Sequence, residues 1–156
     1  MVEFSVQLPD EQATARLGAR LAAALREGDV VALSGPLGAG KTTLARAVIA
    51  ALTGKNEAPS PTFTLVETYE TARFPLFHFD LYRLEKAEDV WELGFEEALD
   101  GVGLIEWPER IETLLPASTL LIRLSMDGGA RRALVRGGEK WSERLSALTP
   151  PKEREA

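Results

Sequence analysis

The sequence predicts an α/β fold: three layers, with a mainly parallel central sheet flanked by helices. Three observations carry that expectation. Residues 30–33 (VVAL) and 102–105 (VGLI) are continuous apolar runs, as in strands buried on both faces of a parallel sheet. Other stretches repeat apolar residues every three or four positions, the period of a helix with one buried face. The strand, glycine-rich loop and helix over residues 30–53 form part of a crossover unit, which sets parallel strands side by side.

Taken in order, residues 3–8 alternate like a short strand. Pro9 and Asp10 then open a helix with Asp10 as its N-cap, and Ala13, Leu17, Leu21 and Leu25 give it one apolar face. Gly28 and Asp29 turn the chain into the strand at 30–33. After the glycine-rich segment 35–40, Leu44, Ala45, Val48, Ile49 and Leu52 mark a second helix that stops at Gly54. Extended segments are expected at 62–69 and 74–79, and a charged helix over 86–99. Strands follow at 102–105 and 119–124, with 133–136 as an edge strand. Trp141, Leu145 and Leu148 predict a last amphipathic helix. No repeat or linker interrupts the pattern, so residues 1–149 read as one domain and 150–156 as a flexible polar tail.

Composition narrows the chemistry. The chain has 156 residues, 45% of them hydrophobic, enough for one compact core. Eighteen Lys and Arg against 24 Asp and Glu give a net charge of −6. A protein that grips nucleic acid unaided carries the opposite surplus, so any RNA is expected to be held by a partner. The absence of cysteine excludes disulfides, thiolate metal sites and cysteine nucleophiles. The N-terminus lacks a basic start followed by an apolar run, and no apolar stretch approaches the ~18 residues that span a bilayer. A soluble cytoplasmic protein is expected, with no membrane contact.

The strongest signal is Gly35-Pro36-Leu37-Gly38-Ala39-Gly40-Lys41-Thr42, a full match to the Walker A pattern G-x-x-x-x-G-K-[ST]. Glycines let the backbone curl so that several N–H groups converge on one phosphate. The helix beginning at Lys41 adds the positive end of its dipole. Lys41 is then expected to reach the β- and γ-phosphates, and the Thr42 hydroxyl to ligate Mg²⁺. Thr43 continues this site. ATP and Mg²⁺ are the cofactors the loop implies, within a P-loop NTPase-like fold.

A P-loop needs an acid near its metal, commonly at the end of a neighbouring strand. Asp80 ends FPLFHFD and Glu106 ends VGLIE, so both are candidates for metal binding and catalysis. The DxxG match at 100–103 stands without an NKxD motif and reads as accidental. The single histidine, His78, reads as a half-buried strand residue bonded to backbone in preference to a base. Trp107 is a candidate to stack beside the nucleotide or to fill core. Thr62, in a segment stiffened by Pro59 and Pro61, is either a switch-like residue near the γ-phosphate or a rigid lead-in to a strand. An arginine finger could come from Arg83, Arg46 or a partner. Arg123, Arg131, Arg132 and Arg136 form a basic cluster along the chain, read first as a solvated face.

GPLGAGKTT at 35–43, SPTFTLVETY at 60–69, HFDLYRL at 78–84 and GLIEWPER at 103–110 together closely resemble the tRNA threonylcarbamoyladenosine biosynthesis ATPases, the TsaE or YjeE family. The resemblance covers nearly the whole chain. It implies a weak ATPase, stimulated by a threonylcarbamoyl transferase subunit and that subunit's paralogous partner, with tRNA reached only through their complex. Residue by residue, it implies that 35–42 hold the nucleotide, with Thr42 a magnesium ligand and Glu106 a second metal-associated acid. It also implies that Asp80 lies in the hydrolysis motif, Thr62 in a switch and Trp107 beside the nucleotide. Thr14 and the arginines at 131–132 would flank the adenine. Pro36 departs from the acid common at its position, which leaves phosphate binding intact and puts any role of that acid in question. A small-molecule kinase using Asp80 as base and a nucleotide-switched binding module are the alternatives.

Overall fold

The computed structural model describes residues 2–54 and 64–148; Thr62 and the expected tail at 150–156 lie outside the described residues. In chain order the elements are β1 (Val2–Leu8), α1 (Glu11–Ala24), β2 (Val30–Ser34), α2 (Lys41–Thr53), β3 (Val66–Glu70), β4 (Pro75–Asp80), α3 (Phe95–Asp100), β5 (Val102–Glu106), β6 (Leu120–Asp127) and β7 (Ala130–Gly137). Short 3-10 helices cover Ala87–Leu93, Pro108–Leu114, Glu139–Trp141 and Arg144–Ala147. The seven strands form one mixed sheet in the order β1-β7-β6-β2-β5-β4-β3.

The centre of that sheet is parallel, since β2 pairs in parallel with both β5 and β6, and β5 with β4. The margins are antiparallel, in the pairs β1–β7, β6–β7 and β3–β4. A mainly parallel sheet therefore needs correcting, and the connections explain why. Only Gly128 and Gly129 join Asp127 to its partner Ala130, both at positive φ, and so short a turn permits only a hairpin. The segment expected as an edge strand is likewise corrected: β7 lies between β1 and β6, and β1 takes the edge.

Two other expectations change for local reasons. Gly94, at φ 90°, breaks the predicted helix over 86–99 into a 3-10 turn and the short α3. The C-terminal apolar residues sit on two short 3-10 turns instead of an amphipathic α-helix. The strand expected from 62 begins at Val66 among the described residues.

Strand alternation divides the core. Val31 and Leu33 of β2, Leu104 of β5 and Ile122 of β6 pack with Leu17 and Leu21 of α1 and Leu44, Val48 and Ile49 of α2. On the other face Val30, Phe79 and Ile105 pack with Val90, Phe95 and Ile111. Each such side chain stabilises the fold by about 1.5–3 kcal/mol on burial. Asp10 caps α1 by accepting the Ala13 N–H at 2.8 Å. Gly18 is required where α1 crosses α2, because a Cβ there would lie 2.4 Å from that of Ala47.

Just before β2, Asp29 is fully buried and anchors the C-terminal turns. Its carboxylate accepts from both terminal nitrogens of Arg144, at 2.7 and 3.0 Å, and from Lys140 at 2.9 Å. Burial alone would raise the Asp29 pKa, but the bonds from Arg144, Lys140 and the Arg26 N–H outweigh it and hold the group below its ordinary value.

Candidate nucleotide site

The loop between β2 and α2 is shaped by glycines at positive φ. Gly35 sits at φ 137°, and a Cβ there would come within 2.3 Å of the Leu124 carbonyl oxygen on β6. Gly40, at φ 105°, is the N-cap of α2 and leaves that end without a side-chain cap. The first turn of α2 carries no acid, so its positive end is not offset by the helix's own side chains. An anion is the natural complement of that arrangement.

Lys41 opens α2 and is only 5% exposed. Its ammonium donates to the Gly35 carbonyl and, at 3.0 Å, to that of Pro36, and it lies 4.1 Å from the centre of the Trp107 ring. Burial lowers the Lys41 pKa, while the charges of Glu106, Glu109 and Asp80 act the other way. Trp107 stands in the left-handed region at φ 59°, and Tyr82 packs on it with ring centres 4.9 Å apart. For a bulky residue that backbone is strained, which fits a ring held in place by the site around it.

Asp80 and Glu106 end the adjacent parallel strands β4 and β5 and are direct register partners. Both are buried, Glu106 at 2% and Asp80 at 8%. Glu106 Oε1 accepts from the Thr42 hydroxyl at 2.8 Å, and Glu106 Oε2 lies 2.6 Å from His78 Nε2. One oxygen of Asp80 accepts the Tyr82 N–H at 3.1 Å. His78 is thus fully buried where a half-buried residue is expected, and it bonds a carboxylate and not the backbone.

These side chains meet in a cleft of about 380 Å³ bordered by Leu37, Gly38, Gly40, Lys41, Thr42, Thr43, Asp80, Tyr82, Arg83, Glu106, Trp107 and Arg131. That volume falls within the usual range for small ligands. Leu37 projects from the loop tip, 70% exposed, and Ala39 is buried. The donors suit magnesium in kind: the Thr42 hydroxyl and the Glu106 carboxylate are hard oxygens side by side, with Asp80 next to them. Among the described residues no cluster of three or more His, Asp or Glu could cage a metal by itself. Magnesium is commonly held by one or two carboxylates together with phosphate oxygens, so this sparse set fits it.

Other expected residues stand elsewhere. Thr14 is buried in α1 and does not border the cleft. Arg131 donates to the Gly38 carbonyl at 3.1 Å, whereas Arg132 pairs with Asp127 at the surface. Arg136 pairs with Glu3, and the register sets Arg123, Arg132 and Arg136 on one exposed face of β6 and β7, with Arg131 alone on the other side. Arg83 borders the cleft, and Arg46 does not.

Comparison with known proteins decides the family. The profile described as "Threonylcarbamoyl adenosine biosynthesis protein TsaE" matches residues 8–134. The chain belongs to the TsaE family. A TsaE protein of Rickettsia felis is 46% identical over 121 residues, covering 76% of this chain and 71% of the relative. One from Treponema pallidum is 40% identical over 126 residues, covering 80% and 93%. Both are called tRNA threonylcarbamoyladenosine biosynthesis proteins. The crystal structure of Bacillus subtilis YdiB superposes with a TM-score of 0.79 at 26% identity, over 99% of this chain and 97% of that one. The names of these TsaE relatives do not favour a metabolite kinase or a binding module.

Sequence reasoning missed the contact of Tyr82 with Trp107, the proximity of Glu109 to Lys41, and the bond from His78 to Glu106. Only HFDLYRL carried a hint, since His78, Asp80 and Tyr82 are spaced by two.

Proposed function

We propose that this chain is the ATP-binding and ATP-hydrolysing member of the tRNA threonylcarbamoyladenosine machinery. The observation that carries this reading is the bond of Thr42 to Glu106 at 2.8 Å, beside a Walker A loop whose lysine lies under Trp107. The four central parallel strands and the loop leading into α2 support a P-loop NTPase-like three-layer arrangement around them.

On this reading the loop N–H groups and the N-terminus of α2 receive the phosphates of ATP. Lys41 leaves the Gly35 and Pro36 carbonyls and turns to the β- and γ-phosphates. Trp107 and Tyr82 form the aromatic wall of the cleft, and Arg131 flanks the loop at Gly38. Thr42 and Glu106 hold magnesium, which when bound offsets charge on the phosphate oxygens. Asp80 serves hydrolysis from the adjacent strand end, and Thr62 belongs to the segment that answers the γ-phosphate. The chain carries an acidic surplus, so it leaves the tRNA to the transferase subunit and its paralogue, and on this reading it acts with them in the cytoplasm. No helix among the described residues is long and apolar enough to cross a membrane.

The test is steady-state ATP hydrolysis by the purified chain, alone and with the transferase pair, with Lys41→Ala as control. Stimulation by the pair that vanishes in the control is the expected result. Hydrolysis indifferent to both the pair and the lysine would overturn the proposal.

A further inference from the structure

We infer that His78 is a positioning residue for Glu106, aiming that carboxylate at the metal without itself reaching the nucleotide. The inference rests on the nucleotide and magnesium reading above. Strand alternation places the group: Leu76 of β4 packs in the same core cluster as Leu44 of α2, and Phe79 packs in the opposite one. His78 and Asp80, two and four positions after Leu76, therefore face α2. Leu104 of β5 shares that cluster, so Glu106 faces α2 as well. In the register His78 lies opposite Leu104 while Asp80 lies opposite Glu106. His78 thus sits one step deeper than the cleft, fully buried and not among its lining residues.

Its Nε2 is 2.6 Å from Glu106 Oε2, and its Nδ1 has no hydrogen-bond partner among the described residues. An unpaired buried acceptor costs less than an unpaired N–H, which assigns the proton to Nε2. The Nε2–H then donates to Oε2, and Oε1 remains with the Thr42 hydroxyl. A residue needed for packing alone would not require a buried imidazole with one nitrogen left unpaired. What the imidazole supplies is the donor that fixes the rotation of Glu106. Outer partners of metal ligands contribute about 10–100-fold to metal affinity.

The experiment measures fluorescent ADP binding to the full chain across a Mg²⁺ series and in EDTA. For His78→Leu, half-maximal enhancement is expected to require roughly 10–100-fold more Mg²⁺, with affinity in EDTA unchanged. His78→Gln places an amide N–H near the position of Nε2 and should recover most of the response. His78→Asn places it near Nδ1 and should not. An unchanged Mg²⁺ requirement in the leucine variant, or an equal loss of affinity in EDTA, overturns the inference. Should that variant fail to fold, the Gln and Asn pair decides, and an equal Mg²⁺ requirement for the two overturns it. A parent protein with no response to Mg²⁺ would bring down the nucleotide and magnesium reading together with this one. A parent that responds beside indifferent His78 variants sinks the inference alone.

Discussion

The two most deeply buried carboxylates among the described residues, Asp29 just before β2 and Glu106 at the far end of the neighbouring β5, have surroundings that differ in kind. Asp29 meets a bidentate arginine, a lysine and a backbone N–H, so its charge is fully matched within the chain. Glu106 meets a hydroxyl and an imidazole, which orient it and leave its charge to the more distant Lys41 and to whatever cation enters the cleft. A buried charge matched by its own fold is an anchor. One that is oriented but not matched is equipped to receive a ligand.

The largest effect expected from that contrast is on the anchor. Arg144→Leu should destabilise the fold by about 3–5 kcal/mol in urea unfolding, because Asp29 then stays buried with much of its charge unpaired. A loss under about 1 kcal/mol, the range of a surface pair, would mean the anchor is no anchor. Glu106→Gln should reverse the pattern. Its unfolding midpoint should stay near that of the parent, while ATP turnover falls about 100–1000-fold, the usual cost of removing a preorganised electrostatic group. Ligand should sharpen the same distinction. Mg²⁺ and ADP at a hundred times the dissociation constant should stabilise the parent by about 2.7 kcal/mol, and Glu106→Gln by much less, read from the thermal midpoint.

The pH dependence separates the two ends again. Because the folded-state pKa of Asp29 is lowered, its contribution is fully present above the unfolded value of 3.8 and is lost as pH falls through the folded pKa. Arg144→Leu should flatten that acid limb of the stability curve, and an unaltered slope would assign it to other groups. The smallest effect belongs to a site outside both networks. Asp10→Ala removes the cap of α1 and should cost about 1 kcal/mol with hydrolysis unchanged.

The anchor and the site were unequally legible in the sequence. The loop at 35–42 could be read outright, because phosphate binding demands glycine, lysine and a hydroxyl at fixed spacing along one turn. Asp80 and Glu106 could be proposed because each closes an apolar run. Asp29, by contrast, reads only as part of a turn, and the residue that anchors it, Arg144, lies 115 positions away. The basic cluster loses one member for a related reason. Arg131 and Arg132 are neighbours in sequence, but β7 points them to opposite faces, one toward the loop and one to Asp127.

By itself, then, the sequence determined the strands of the parallel centre, the two packed helices, the Walker loop and the family likeness, all of which rest on local spacing. Tertiary structure decided the antiparallel margins, the place of β7 inside the sheet, the pairing of Arg144 with Asp29, and the line from His78 through Glu106 to Thr42. Those outcomes depend on which strands lie side by side and in what register. A shift of one residue would turn His78 and Glu106 to the opposite face, and no local pattern in either segment fixes that register.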